Sequence, residues 1–276
     1  MTPVFVLTNH KGGVGKSTSA TNIAYGISQM LAQFGVANHR VLLIDTDSQG
    51  HATLVTTSRN DFGREDSLYT VLNADRKDAT TILKQCIVAS EWDANLHVLP
   101  ASPLLEAAER ELIAVPGAPY RLSEPLSQIA SHYAAVVIDT RPSFSLLTEM
   151  SLIAATDALI PIEPRYLETV GLESVVNKIE SIRQGWRCPD LKVGGIVVTK
   201  LDKRMKGHVE MLDGLKAHPV LGRLLCGVIP ANEAVAYAHH AHKSVYEYNP
   251  ECPASQAYAV LAAQLIKKTM VIRGGA

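Results

Sequence analysis

The stretch Lys11-Gly12-Gly13-Val14-Gly15-Lys16-Ser17-Thr18 follows the apolar run Val4-Phe5-Val6-Leu7 and leads directly into a helical pattern. Its glycines let successive backbone N–H groups turn inward on phosphate oxygens, and the helix that follows adds its positive N-terminal end. In such a loop Lys16 reaches the β- and γ-phosphates, and the Ser17 hydroxyl can ligate Mg²⁺. The standard pattern places a glycine five residues before Gly15, where this chain has His10, and it carries Lys11 inside the loop. A second lysine beside Lys16 is costly unless an anion lies near both, so Lys11 is expected to aim at phosphate as well. The alternative, a glycine-rich turn with solvated lysines, does not account for the strand and helix on either side.

The chain has 276 residues and a formal net charge of -1. That length can bury a sizeable core, and no Pro/Gly/Ser-rich linker, low-complexity tract or internal repeat divides it, so residues 1–276 are read as a single domain. No apolar run approaches the roughly 18 to 20 residues that span a bilayer, and no signal peptide is evident, so a cytoplasmic protein is expected. Cys86, Cys188, Cys226 and Cys252 are scattered without the CxxC spacing of a metal or redox site, as befits buried thiols. Near-neutral charge argues against a general polyanion binder. Yet residues 1–150 carry 11 basic and 15 acidic side chains, whereas residues 151–276 carry 15 and 12.

Strands are predicted at 4–8, 41–44, 96–99, 134–138, 158–162, 193–198 and 226–229. These runs are short, continuously apolar and rich in β-branched residues, as strands buried on both faces of a parallel sheet are. Helical periodicity is clearest over 17–34, 104–113, 167–183 and 254–268. The alternation implies an α/β fold, doubly wound, with a mostly parallel sheet, helices on both faces and ligands at the carboxyl ends of the strands.

Two further clusters follow strand ends. Val41-Leu42-Leu43-Ile44 runs into Asp45-Thr46-Asp47-Ser48-Gln49-Gly50, and Ala134-Ala135-Val136-Val137-Ile138 ends in Asp139-Thr140-Arg141-Pro142-Ser143. Acids beside a bound Mg²⁺-nucleotide can hold the metal's waters or orient the water that attacks the γ-phosphate. An apolar strand closed by Asp matches a Walker B ending, with Asp139 holding Mg²⁺ through water. A polar surface turn and a helix-capping Asp are the plainer alternatives.

Together these residues resemble the ParA/Soj family of partitioning ATPases, within the deviant Walker A P-loop NTPases that include MinD. The similarity extends through Leu99-Pro100-Ala101-Ser102 and its acidic helix, Gly227-Val228-Ile229-Pro230-Ala231-Asn232, and Tyr246-Glu247-Tyr248-Asn249-Pro250. The resemblance implies a homodimer closing on two Mg-ATP molecules, with Lys11 of each subunit reaching the nucleotide of the other. It assigns Gly12, Gly13, Val14, Gly15, Lys16, Ser17 and Thr18 to phosphate, Asp47 to the lytic water, and Ser17, Asp45 and Asp139 to the metal and its water shell. Pro230, Ala231 and Asn232 match the loop around the adenine. It also implies slow hydrolysis stimulated by a ParB-like or other adaptor, and non-specific DNA binding on the nucleoid.

The departures are specific. Ser48 stands where the family usually has Pro, and Arg141-Pro142 where it has Pro-Pro, adding a charge near the nucleotide or the dimer seam. Ala231 replaces an arginine that often contributes to DNA binding. Substitutes are available at Lys200, Lys203, Arg204 and Lys206, and at Arg223, Lys243, Lys267 and Lys268, although an ordinary solvated loop and a snorkelling last helix would look the same. A MinD-like membrane cycle would need an amphipathic anchor, for which 265–273 is a thin candidate. A metal-cluster carrier or a biosynthetic enzyme on the same fold is a further alternative.

Overall fold

Alternation along the apolar runs decides how the chain layers. In β1 (Val4–Leu7), Val4 and Val6 enter one hydrophobic core and Phe5 and Leu7 the other. The same division recurs in β2 (Val41–Asp45), where Leu42 and Ile44 face one core and Val41 and Leu43 the second. A strand with apolar residues on both faces must be covered on both sides, which is why the sheet is sandwiched between helices.

The computed structural model describes residues 1–37 and 39–274, with the side chains of 166–170 and 268–274 excepted. The remaining strands are β3 (Val88–Ala89), β4 (Leu96–Leu99), β5 (Ala135–Asp139), β6 (Asp157–Ile162), β7 (Lys192–Leu201) and β8 (Leu225–Pro230). They form one eight-stranded sheet in the order β3-β4-β2-β5-β1-β6-β7-β8. Every pairing is parallel except the short β3 against β4. One face is covered by helices Leu105–Leu112, Leu146–Ala154, Tyr166–Gly185 and Lys206–Ala217. The other is covered by Lys16–Gln33 and Pro253–Gly274, which pack against each other and carry Ile23, Ile27, Tyr258 and Leu261 inward.

All seven expected strands are present, and the doubly wound, mostly parallel sheet is as expected. The sequence reading omitted β3, which is two residues long, and stopped β7 at Val198, whereas it runs on to Leu201. That extension matters because it carries Thr199 and Lys200 to the site. Leu265 and Ile266 are buried in the core, so this part of the thin anchor candidate packs inward. Among the described residues no helix is long and apolar enough to cross a membrane. Among the described residues no cysteine forms a disulfide; Cys86 and Cys252 are buried as expected, whereas Cys188 and Cys226 are half-buried.

Register then sets the chemistry. Asp139 lies opposite Leu7 on one side and Asp45 on the other. The ends of β1, β2 and β5 therefore meet at one edge, with the phosphate loop above them.

Candidate functional site

The loop after β1 is held in shape by its neighbours. Gly13 and Gly15 take φ values of +76° and +82°, a left-handed conformation costly for residues with a Cβ. Buried Asn9 donates its Nδ2 to the Pro161 carbonyl at 2.8 Å and accepts the Lys11 amide at 3.0 Å. Thr199 Oγ1 lies 2.9 and 3.1 Å from the carbonyl oxygens of Val14 and Ile162, which share its one proton. Lys200 Nζ reaches the Gly13 carbonyl at 2.5 Å and Glu163 at 2.6 Å. The next helix begins without a capping side chain and without an acid in its first turn. Its N-terminal amides and dipole are therefore left to act on an anion in the loop.

Lys16 is 6% exposed and donates its Nζ to the Lys11 carbonyl at 2.7 Å. Burial lowers its pKa, while the charges of Asp139 and Asp47 oppose that shift. The ammonium thus lies between the loop backbone and the two acids. Lys11 is exposed at the rim.

The three acids are not equivalent. Asp45 Oδ1 accepts the Asp47 amide at 3.0 Å, and its Oδ2 accepts both the amide and the hydroxyl of Thr53 at 2.8 Å. Burial pushes its carboxyl up to about 6 in spite of these donors, and Asp47 adds to the rise. Asp139 is fully buried, and neither of its oxygens has a hydrogen-bond partner among the described residues. Burial first, then the charges of Asp45 and Asp47, push its carboxyl well above the ordinary range, against the Ser17 side chain and the Lys16 ammonium. Asp47 is 7% exposed and lines the cavity over the loop, with its Oδ1 accepting the Gln49 amide at 3.1 Å. Side-chain hydroxyls of the adjoining threonines lock the strand ends together: Thr46 Oγ1 donates to the Asp139 carbonyl and Thr140 Oγ1 to that of Leu7, each at 2.7 Å.

Two cavities meet here. One of 360 Å³ lies over Gly12, Gly13 and Gly15 to Thr18, with Asp47 and Thr140 on its walls. The other, of 490 Å³, is bounded by Pro230, Ala231, Asn232, Val235 and Tyr258. Gly15, Thr18, Lys200 and His239 border both, so they form one trough. Asn232 also has a structural duty, since its side chain caps helix Glu233–His240 by accepting the Ala234 amide at 2.9 Å.

The remaining cations divide into two groups. Lys200 is bound to the phosphate loop as above, Arg204 grips Asp202 at 2.8 Å, and Lys206 lies 3.4 Å from Glu210. Lys203, Arg223, Lys243 and Lys267 are exposed; the side chain of Lys268 lies outside the described residues. Arg141 pairs with Glu109 at 2.9 Å, and Ser48 donates to Glu106 at 3.1 Å. Both departures from the family pattern are thus tied to the same helix. Sequence reasoning missed Asn9, Thr53, Thr199 and His239. Thr199 stood beside a recognised basic cluster, but nothing local in the sequence distinguishes the others.

The family described as an AAA domain matches residues 2–193. The chain is similar to the chromosome-partitioning ATPase Soj of Thermus thermophilus, with 33% identity over 95% of this chain and 94% of that one. It is similar at 31% to the chromosome partitioning protein ParA of Caulobacter vibrioides, over 96% and 94% of the two chains. Among solved structures it resembles cobyrinic acid a,c-diamide synthase from Mycobacterium smegmatis with bound ATP analog and magnesium, with a TM-score of 0.75 and 25% identity over 98% and 96% of the chains.

Proposed function

Because the chain belongs to the ParA/Soj-type partitioning ATPases, we propose that it is a Mg-ATP-dependent switch that dimerises on ATP, binds DNA without sequence preference and positions a cargo. The cargo is a chromosome, a plasmid or a protein assembly. The observation that carries this reading is the buried, unpartnered carboxylate of Asp139 beside Ser17 and Lys16. A carboxylate buried without hydrogen-bond partners is costly unless a cation completes it.

The donor set fits a hard cation such as Mg²⁺: an aspartate, a serine hydroxyl and the phosphates of a nucleotide, with water filling the remainder. Ser17 would hold the ion directly, and Asp139 and Asp45 would order its water shell. When bound, Mg²⁺ neutralises charge on the β- and γ-phosphate oxygens. Glycine amides and the helix N-terminus hold the phosphates, and Lys16 exchanges the Lys11 carbonyl for a phosphate oxygen. Asp47, at the cavity wall, orients the attacking water. Pro230 to Asn232 border the base. Lys11, at the rim, reaches the nucleotide of a second subunit, which explains why an exposed lysine occupies this loop. Among the described residues no arginine lines the phosphate cavity, so hydrolysis is expected to be slow until an adaptor of the ParB kind acts on the dimer. The cycle runs in the cytoplasm on nucleoid DNA, with no membrane step.

A second reading is a biosynthetic enzyme that uses ATP to activate a small acid, favoured by the likeness to the diamide synthase. Cosedimentation with non-specific DNA in ATP, ADP and no nucleotide, across a salt series, separates the two. The positioning reading expects an ATP-dependent dimer and salt-sensitive DNA binding. If ATP produces neither at low salt, that reading fails, and consumption of ATP only with a small-molecule acceptor would favour the second.

A further inference from the structure

Helix Leu146–Ala154 has two side chains able to cap its start, and the structure uses the distant one. Ser145 stands at its N-cap with extended backbone, φ -94° and ψ 177°, yet makes no side-chain cap. A serine in that position normally accepts an amide of the first turn. Here its Oγ is buried without a hydrogen-bond partner among the described residues, as is that of Ser143 two residues earlier. The Leu147 amide donates instead to Glu109 Oε1, on helix Leu105–Leu112, over a long 3.4 Å. Arg141 Nη1 donates to Glu109 Oε2 at 2.9 Å. One carboxylate thus holds both ends of the segment that leads from Asp139 into the helix.

The arginine is held beside the phosphate cavity and out of it. Its two neighbours, Thr140 and Pro142, line that cavity, and Arg141 does not. Pro142 also packs on the phosphate loop, with Cβ and Cγ 3.9 and 4.0 Å from where a side chain on Gly12 would begin. Gly15 and Thr18 border the base cavity, whereas Gly12 and Gly13 border the phosphate cavity alone. A nucleotide lying along the trough therefore has its terminal phosphate at the Gly12 end, next to Pro142. The Arg141–Glu109 pair is partly exposed, at 24% and 20%. Such a pair is weak enough to be exchanged, and a phosphate matches the arginine fork as well as a carboxylate does.

We propose that Glu109 is a latch on hydrolysis: it restrains Arg141 away from the terminal phosphate, and its release hands the helix cap to Ser145 and lets Arg141 neutralise charge on that phosphate. This rests on the ATP reading of the trough and adds its regulation. Helix Leu105–Leu112 also holds Ser48 through Glu106 at 3.1 Å, so a displacement of this helix reaches the loop of Asp47 as well as that of Asp139. The released side chain is the arginine that no residue lining the cavity provides, placed where charge develops as the phosphate is transferred.

Phosphate release from Mg-ATP by the full chain, without any adaptor, tests it beside isothermal titration with Mg-ATPγS. Glu109→Gln keeps an acceptor for the Leu147 amide and removes the charge that holds Arg141. It is expected to raise kcat by about tenfold or more with KM within about twofold, and adding Arg141→Ala is expected to return kcat to the natural rate. An unchanged kcat in Glu109→Gln, or a rise that survives Arg141→Ala, overturns the latch. Failure of the natural protein to bind ATPγS overturns the ATP reading itself, a separate result. Should Glu109→Gln fail to fold, the Arg141 Nε–H resonance of the natural protein decides the matter, assigned by its loss in Arg141→Lys. A shift with Mg-ATPγS that Mg-ADP does not produce supports the release, and equal spectra overturn it.

Discussion

Asp45 and Asp139 stand opposite each other at the ends of adjacent parallel strands, yet three hydrogen bonds hold the first while neither oxygen of the second lies in hydrogen-bond geometry with a partner among the described residues, Ser17 and Lys16 being its polar neighbours. One acid holds the loop together; the other is left for a cation. Substituting Asp139→Asn therefore removes a buried charge that destabilises the nucleotide-free protein, and is expected to raise its stability at pH 7.5 by on the order of 1 to 3 kcal/mol while abolishing Mg²⁺-dependent nucleotide binding. The pH dependence has a definite sign. Both carboxyls are raised in the folded state, Asp45 from 3.8 to about 6, so the folded chain holds protons that the unfolded chain has lost. Stability without nucleotide should fall as pH rises from about 4 through about 6, and Asp139→Asn should flatten that fall. Thermal melts at pH 5, 6 and 7.5 measure it, and a melting temperature that rises with pH over that range would contradict the assignment.

Asp47 differs from both, since it lines the phosphate cavity and keeps part of its carboxylate available. Asp47→Ala is expected to retain nucleotide binding and ATP-dependent dimers while losing hydrolysis by about a hundredfold or more, the scale of a positioned general base or water-orienting group. Phosphate release measured beside analytical ultracentrifugation checks this. Loss of dimers would mean that Asp47 holds the loop rather than the water.

Lys16 and Lys11 are joined by a 2.7 Å hydrogen bond from ammonium to carbonyl, a contact that uses only the backbone of Lys11. Removing the Lys11 side chain should therefore leave Lys16 in place. Lys11→Ala is expected to bind ADP within about twofold of the natural protein and fail to form ATP dimers, whereas Lys16→Ala should lose nucleotide affinity by at least tenfold, as for a charged hydrogen bond. Normal dimerisation and hydrolysis by Lys11→Ala would rule out its action across the subunits.

Arg141 and Glu109, at 24% and 20% exposure, form a partly screened pair at 2.9 Å. Ser48, in the other acid-bearing loop, bonds to Glu106 one turn earlier on the same helix. This helix thus links the loops after β2 and β5. In a double-mutant cycle, Arg141→Ala and Glu109→Ala should show a coupling of about 0.5 to 1 kcal/mol in stability. Coupling near zero in chemical denaturation would mean that the pair is only a surface encounter.

How far the molecule could be read in advance follows from where the information lies. The strands were legible because burial on both faces demands uninterrupted apolar runs, and Val41 to Ile44 or Val136 to Ile138 can hardly be anything else. The phosphate loop was legible because its chemistry is contiguous. The division of labour between Asp45 and Asp139 was not, since it depends on Thr53, eight residues away from Asp45, folding back on one carboxylate and not the other. Thr199 and Lys200 were read with the basic segment that follows them, because polar residues at the end of β7 do not continue its apolar pattern. His239 carries no local signal. Its place at the seam arises from how β8 delivers helix Glu233–His240 to the phosphate loop.

Lys200 shows how that difference changes an expectation about DNA. Its ammonium is held by the Gly13 carbonyl and Glu163, so replacing it perturbs the phosphate loop before it removes any charge from a surface. Lys243 and Lys267 are exposed and form no ion pair among the described residues. Each phosphate contact contributes about one unit to the slope of log affinity against log salt. Lys243→Ala and Lys267→Ala are expected to weaken DNA binding by the ATP-bound protein evenly across sequences and to lower that slope by about one each, with ADP affinity unchanged. Lys200→Ala, in contrast, should weaken ADP binding in the absence of DNA. Fluorescence anisotropy with labelled duplexes at several salt concentrations, paired with ADP titrations, reads both effects. Lys200→Ala with normal ADP affinity and a reduced salt slope would place that lysine on the DNA instead.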